Sequence, residues 1–256
     1  MEDLRVTIVQ PTLTWEDVDA NLAMFTNKLA PASTDLIVLP EMFSTGFTMN
    51  VSKVGEGMDG KALQWMKKIS AEKKCVVTGS LVIKENDHFY NRLIWMKPDG
   101  AYEKYDKRHL FRMGEENQTY TAGKDKIIVS LKGWKICPLV CYDLRFPVWS
   151  RNSVGYDCLI YVANWPEVRS YAWNHLLIAR AIENQSYVIG VNRVGKDGND
   201  MPHSGDSAVI NAKGLIISKT KPNEESVETV VLSYKELEEF RKAFPVAMDA
   251  DKFKLE

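Results

Sequence analysis

Short apolar runs alternate along the chain with longer segments whose apolar residues recur at helical spacing. The short runs are typical of buried strands, and the longer segments of amphipathic helices. The pattern predicts strands at residues 6–9, 36–39, 75–83, 90–96, 102–105, 127–130, 136–140, 159–162, 188–191, 208–210, 215–218 and 230–232. It predicts helices at residues 15–25, 63–71, 171–185 and 234–243, the first with Thr14 as its N-cap.

This alternation predicts an α/β protein in which sheets are layered with helices. No linker rich in Gly, Ser or Pro interrupts the 256 residues, and no repeat or low-complexity tract occurs. A chain of this length fits one α/β domain better than two full-sized domains. We therefore expect a single domain over residues 1–256.

Composition and charge exclude several classes of protein. Hydrophobic residues make up 45% and charged residues 26%, as in soluble globular proteins, and the formal net charge of -1 gives no basis for nucleic-acid binding. The first ten residues have acidic side chains where a signal peptide carries positive charge. No apolar stretch approaches the roughly 20 residues that span a bilayer. We therefore expect a cytoplasmic protein without a membrane partner.

The cysteine pattern agrees with a reducing compartment. The four cysteines lie in or beside apolar runs and form no C-x-x-C pair, so free thiols are expected: Cys75, Cys137, Cys141 and Cys158. Since no histidine cluster stands near them, we expect no metal site.

Three predicted strands end in side chains that are useful in catalysis. Glu41 follows the strand at 36–39, Lys107 follows the strand at 102–105, and Cys141 follows the strand at 136–140. Strand ends are where active-site groups gather in α/β proteins. Taken singly, each residue has an ordinary structural explanation: a capping glutamate, a solvated lysine, a core thiol. Together they supply a base, a cation for an oxyanion and a nucleophile.

The sequence around these residues resembles the nitrilase superfamily of carbon-nitrogen hydrolases. The matching motifs are Leu39-Pro-Glu-Met-Phe43, Tyr105-Asp-Lys-Arg-His-Leu-Phe111 and Leu139-Val-Cys-Tyr-Asp-Leu-Arg-Phe-Pro147. The resemblance implies a four-layer αββα sandwich of two mixed β-sheets flanked by helices. It also implies a Glu-Lys-Cys triad, with Glu41 as general base, Lys107 as oxyanion cation and Cys141 as nucleophile. No cofactor is expected.

The family places a second glutamate in the site, before a glycine. Two adjacent residues qualify, because counting back from Gly123 favours Glu116 and counting forward from Lys107 favours Glu115. We select Glu116. Its expected task is to position the substrate nitrogen or the hydrolytic water, or to hold Lys107.

Within the superfamily, three sequence segments resemble the ω-amidase branch: residues 105–113, residues 146–152 and Ala163-Asn-Trp-Pro166. That resemblance implies hydrolysis of the terminal amide of 2-oxoglutaramate or 2-oxosuccinamate to the keto acid and ammonia. A cation should then meet the distal carboxylate, and Arg145 is the first candidate and Arg169 the second. The segment Glu167-Val-Arg-Ser-Tyr171 departs from the eukaryotic pattern. The alternative for Arg145 is a buried arginine paired with Asp143 or a later acid. The further substrate-binding residues expected are Tyr142, through its backbone N–H, Phe43, Asn164 and Trp165.

Other functions are also compatible with the sequence. His109, two residues after Lys107, permits a Cys-His hydrolase, although that reading leaves Glu41 and Lys107 without a role. The same triad could act on deaminated glutathione, an N-carbamoyl amine or a nitrile, or the chain could be a non-catalytic binding protein. By resemblance we also expect a homodimer that pairs through the helix at 171–185 and the C-terminal tail.

Overall fold

The computed structural model of the protein describes residues 1–255, in which strands and helices alternate. The strands are β1 (Leu4–Gln10), β2 (Leu36–Val38), β3 (Val76–Glu85), β4 (His88–Met96), β5 (Tyr102–Asp106), β6 (Val129–Leu131), β7 (Trp134–Val140), β8 (Cys158–Val162), β9 (Tyr187–Val191), β10 (Val194–Lys196), β11 (Pro202–Ser204), β12 (Ala208–Ile210) and β13 (Ser226–Leu232). The helices are α1 (Val18–Leu29), α2 (Val51–Val54), α3 (Lys61–Lys73), α4 (Glu116–Thr119), α5 (Pro147–Ser150), α6 (Ser170–Asn184) and α7 (Tyr234–Ala243). Single 3₁₀ turns lie at Arg112–Gly114, Cys141–Arg145, Glu167–Arg169 and Val246–Asp249.

Two mixed sheets carry the fold. The first has the order β13-β1-β2-β3-β4-β5 and the second the order β12-β9-β8-β7-β6, while β10 and β11 form a separate hairpin. Strands β1, β2 and β3 run parallel, as do β7, β8 and β9, and the outer strands pair antiparallel to them. The carboxyl ends of the parallel strands therefore meet at one edge of each sheet.

Side-chain alternation along the strands separates two layers of core. In β1, Leu4, Val6 and Ile8 face the second sheet, whereas Val9 packs among residues of α1 and α3. Because a strand turns successive side chains to opposite faces, a strand covered on both sides must be apolar throughout. The second sheet is covered in turn by Trp173, Leu177 and Ala181 of α6 and by Leu237 of α7. The layers are helix, sheet, sheet and helix, which confirms the predicted fold class.

Two local predictions were wrong. Thr14 does not cap α1; Asp17 does, accepting a hydrogen bond from the Ala20 N–H at 2.9 Å. The intervening residues form a turn in which Glu16 has φ +52°, so the helix starts later than its apolar spacing suggests. Residues 215–218 form no strand and contribute a single bridge, between Ile216 and Ile210. Within residues 1–255, no helix is long and apolar enough to cross a membrane.

Candidate active site

Strand ends from both sheets bring three predicted catalytic side chains and one predicted substrate-binding side chain to one place. Glu41 follows β2 after Pro40, Lys107 follows β5, Cys141 follows β7 and Asn164 follows β8 by two residues. Strand β5 runs in the direction of β2 because β3, β4 and β5 are joined antiparallel in turn. All four side chains therefore emerge at a shared carboxyl edge, as expected for ligand sites in open α/β sheets.

Lys107 lies at the centre of the site, 1% exposed. Its Nζ donates to Glu41 Oε1 at 2.8 Å and to both oxygens of Glu116, at 3.0 and 2.9 Å. Burial alone lowers the pKa of the ammonium, but the charges of Glu116 and Glu41 outweigh burial and hold that pKa well above its ordinary value. The two carboxylates therefore favour the ammonium form of Lys107, which can stabilise developing negative charge beside it.

The second glutamate is built into the same network. Glu116 is fully buried and also accepts from the Phe111 N–H at 2.6 Å, whereas Glu115 is exposed. Burial raises the pKa of Glu116, and the charge of Glu41 adds to this while Lys107 opposes it. Asn91 joins the two carboxylates, its Nδ2 donating to Glu41 Oε1 at 2.7 Å and to Glu116 Oε1 at 3.1 Å.

Cys141 occupies a sharp corner between β7 and a 3₁₀ turn. Its φ is +44°, a left-handed conformation that costs a non-glycine residue about 1–2 kcal/mol. Burial raises the pKa of the thiol well above its ordinary value, and the charge of Glu41 raises it further while Lys107 lowers it. The resting side chain is therefore a neutral thiol that needs a base when it attacks. The N–H of Tyr142 falls in the first turn, where amides have no partner within the helix.

Asp143 holds the backbone of this corner in place and is also the hydrogen-bond partner of His109. The fully buried carboxylate accepts from the Val140 N–H at 3.0 Å and from the Tyr105 hydroxyl at 2.7 Å. His109 Nδ1 lies 2.7 Å from the same carboxylate, and its ring stacks on Phe146 with centroids 3.7 Å apart. The imidazole is thus paired with Asp143, so the geometry does not favour a Cys-His pair.

A small cavity opens onto Cys141 and Lys107. Aromatic rings and cations dominate its wall. It is lined by Phe47, Lys107, Phe111, Cys141, Tyr142, Arg145, Asn164, Trp165, Pro166, Arg169, Asp197 and His203. Glu41 and Glu116 lie behind this wall, in contact with Lys107.

Two guanidinium groups border the cavity over aromatic rings. Arg145 is exposed and lies 5.1 Å above the Trp165 ring, and half-buried Arg169 lies 5.2 Å above the Phe111 ring. Neither forms an ion pair with another of residues 1–255. The alternative pairing of Arg145 with Asp143 is wrong, because the Asp143 oxygens are taken by the donors described above.

Phe43 is the one predicted substrate-binding residue that the structure places away from the cavity. The left-handed backbone at Met42, φ +42°, reverses the chain after Glu41. The Phe43 ring is consequently fully buried in the helix-facing core, 5.5 Å from the ring of Phe25 and 5.7 Å from that of Trp65. Phe47, four residues later, supplies the aromatic wall instead.

Several site residues were not predicted from the sequence: Asn91, Phe47, Phe111, Pro166, Asp197 and His203. Asn91 had a local signal, since it begins a polar pair in an otherwise apolar strand, and such a buried amide must find partners. Asp197 and His203 had none, because they reach the cavity only through the fold of the β10–β11 hairpin. Among residues 1–255, no three His, Cys, Asp or Glu side chains converge as metal ligands would.

The chain is similar to characterised hydrolases along its whole length. Residues 5–242 match the family model described as carbon-nitrogen hydrolase. The Omega-amidase YafV of Escherichia coli (strain K12) is 45% identical, with both chains covered in full. The 2-oxoglutaramate amidase of Bacillus subtilis (strain 168) is 33% identical over 85% of each chain. The crystal structure of XC1258 from Xanthomonas campestris, a CN-hydrolase superfamily protein with an arsenic adduct in its active site, superposes with a TM-score of 0.98 at 43% identity over both full chains.

Proposed function

This chain belongs to the carbon-nitrogen hydrolase family, and from that premise we propose that it is an ω-amidase acting on a small keto dicarboxylic monoamide. The proposed substrates are 2-oxoglutaramate and 2-oxosuccinamate, and the products are the keto acid and ammonia. The observation that carries the proposal is the cavity itself, which joins Cys141 and Lys107 to two unpaired arginines. The names of the relatives agree with this chemistry.

In the proposed mechanism, Glu41 takes the thiol proton as Sγ of Cys141 attacks the amide carbon. The tetrahedral oxyanion lies between Lys107 Nζ and the N–H of Tyr142, and one such donor is worth about 3 kcal/mol in the transition state. Glu41 returns the proton to the departing nitrogen, so ammonia leaves and a thioester remains. Glu41 then deprotonates a water molecule whose oxygen attacks the thioester carbon. The C–S bond breaks, the acid leaves, and Glu41 returns the proton to Sγ of Cys141.

Glu116 supports this mechanism from behind Lys107. Its two hydrogen bonds to Nζ, together with the one between Lys107 and Glu41, hold the ammonium in a single position. Since Asn91 also fixes both carboxylates, neither has to reorganise during the reaction. We propose that Glu116 holds Lys107, among the tasks considered for it.

A substrate panel tests the proposed function. Hydrolysis of 2-oxoglutaramate and 2-oxosuccinamate, followed as ammonia release, is expected to exceed that of an N-carbamoyl amine and simple nitriles in kcat/KM. It is also expected to exceed that of deaminated glutathione, which is followed as cysteinylglycine release because its amide nitrogen belongs to the peptide. The physical reason is that only the keto acid amides combine a primary amide with a carboxylate a few carbons away. A preference for another of these compounds would reassign the substrate within the family. No release from any compound would instead favour a binding protein.

Arg145 and Arg169 are the candidates for binding the substrate carboxylate, which leads to a prediction about KM. Replacing Arg145 with alanine should raise KM for 2-oxoglutaramate about 10- to 100-fold, since a hydrogen bond to a charged group contributes about 1.5–3 kcal/mol. KM for butyramide, which has no carboxylate, should change little. Arg169→Ala is the matched variant, and a larger effect there would make Arg169 the carboxylate ligand. Equal effects on both substrates in both variants would contradict a carboxylate grip.

We also propose that the chain acts as one domain, pairs with a second copy and works in the cytoplasm. The family match over residues 5–242 supports the single domain. Exposed apolar side chains on α6, Tyr171 at 76% and Ile182 at 53%, would leave water if a second copy covered that helix. The four cysteines are all free and buried, as suits a reducing compartment.

A further inference from the structure

Asn164 links the end of β8, in the second sheet, to the general-base candidate Glu41. It follows β8, is 6% exposed, and lines the cavity beside Cys141 and Lys107. Its backbone N–H donates to Glu41 Oε2 at 2.8 Å, and its side-chain Nδ2 donates to the Glu41 carbonyl oxygen. Asn164 therefore contacts Glu41 at two points.

These bonds determine which way the Asn164 amide is turned. A carbonyl oxygen accepts hydrogen bonds and cannot donate them, so the atom beside the Glu41 carbonyl must be Nδ2. Oδ1 is then the opposite atom of the side chain. It is buried and accepts no hydrogen bond from any of residues 1–255. A buried acceptor without a donor is unfavourable, and in a native structure a ligand or water commonly supplies the missing donor.

Most of the other polar groups around the cavity are hydrogen-bond donors, whereas the NH₂ group of an amide substrate requires an acceptor. Lys107 Nζ and the backbone N–H of Tyr142 are donors and suit an amide carbonyl oxygen. The side chains of Arg145 and Arg169 are also donors and suit a carboxylate. An amide NH₂ group needs acceptors, and the Glu41 oxygens already accept from Lys107, Asn91 and the Asn164 backbone. Two buried amide oxygens at the site have no donor among residues 1–255, those of Asn91 and Asn164, and of these two only Asn164 lines the cavity with Cys141.

We propose that Asn164 Oδ1 accepts a hydrogen bond from the scissile amide nitrogen and thereby selects carboxamides over esters. The inference rests on the proposed amidase function and deepens it. The nitrogen keeps N–H groups from the bound substrate to departing ammonia, so the bond persists through the tetrahedral intermediate. An ester oxygen carries no hydrogen and cannot form it, and a site built for a donor rejects an analogue that lacks one.

A matched pair of substrates tests this assignment. Succinamate and monomethyl succinate share a carboxylate and differ in the leaving group, and ammonia and methanol release report on each. Asn164→Ala should lower the ratio of amide to ester kcat/KM about tenfold, the effect expected for one hydrogen bond. Both substrates should also slow by a common factor, because the tether to Glu41 is lost.

Asn192→Ala is the control for loosening the loop that carries Asn164. Its side chain binds the Trp165 N–H at 2.8 Å and the Trp165 carbonyl at 2.9 Å, so it braces the same loop without lining the cavity. This variant should leave the amide-to-ester ratio unchanged. If Asn164→Ala also leaves the ratio unchanged, Asn164 only positions Glu41 and the inference is wrong. If the wild type hydrolyses neither compound and also releases no ammonia from 2-oxoglutaramate, the proposed function itself fails.

A second measurement does not depend on the folding of the Asn164 variant. In crystals of the Cys141→Ala protein soaked with succinamate, the amide nitrogen should lie about 3 Å from Asn164 Oδ1. A substrate nitrogen turned away from Oδ1, with water in its place, would overturn the inference while leaving the amidase assignment intact.

Discussion

Replacing Cys141 with alanine should reduce ammonia release from 2-oxoglutaramate by a factor on the order of 10⁵ or more, the scale observed when a hydrolase loses its nucleophile. The remaining groups can still bind the amide and polarise its carbonyl, but no thioester can form. Mass spectrometry of the wild-type protein quenched during turnover should show an acyl adduct on the peptide that contains Cys141. The same peptide from the alanine variant should carry none.

Cys75→Ala is the matched control for the loss of a thiol. Cys75 is 3% exposed in the helix-facing core, and burial raises the pKa of its thiol to about 11. Its removal should cost some stability through a small cavity and leave kcat unaltered. Retention of more than about one per cent of wild-type activity by Cys141→Ala would contradict the nucleophile assignment, since uncatalysed attack by water cannot account for it.

Glu41→Gln should lower kcat by about 10²- to 10⁴-fold with a smaller change in KM, the usual contribution of a general base. Glutamine keeps the shape of the side chain and can still accept from Lys107, but it cannot take the thiol proton. Glu225→Gln is the matched control, because Glu225 also pairs with a lysine, Lys28, at 3.0 Å, and lies outside the cavity. Stopped assays of ammonia over a range of substrate concentrations separate the two constants.

The same variant has a second effect of opposite sign. The charge of Glu41 is among the causes that raise the pKa of Cys141, and Lys107 opposes it. Removing that charge should therefore lower the pKa of the thiol, which ultraviolet difference absorbance of the thiolate can follow during a pH titration. A protein whose thiolate forms more readily while its amidase activity falls would identify Glu41 as a base. If kcat falls less than tenfold, Glu116 becomes the better candidate for the proton acceptor.

The buried charges around Lys107 explain why these experiments should use conservative substitutions. Removing the lysine would leave two carboxylates without their cation, and breaking a buried ion pair costs about 3–5 kcal/mol. A loss of activity in such a variant would mix chemistry with unfolding. Glutamine at position 41 leaves Lys107 paired with Glu116, so its kinetic effect can be interpreted directly.

Most of the architecture could be predicted from local sequence, because burial on both faces forces continuous apolar strands and one-sided burial forces helical spacing. The errors fall where short-range signals compete. Thr14 and Asp17 are both acceptable capping residues, and the turn that carries Glu16 determines which of them begins α1. Residues 215–218 have the composition of a strand but find only one bridging partner at the edge of the second sheet.

The three central side chains could be predicted from the sequence alone, since each follows a predicted strand within a recognisable motif: Glu41, Lys107 and Cys141. Only the tertiary structure decided what surrounds them. In the folded protein Glu116 is buried and Glu115 is exposed, and the Phe43 ring lies in the core. His109 pairs with Asp143, and Arg145 lies at the cavity without an ion-pair partner. The physical reason is that a strand end fixes where a side chain emerges. Its partners come from segments distant in the chain, and their approach depends on backbone reversals such as that at Met42, which no local pattern encodes.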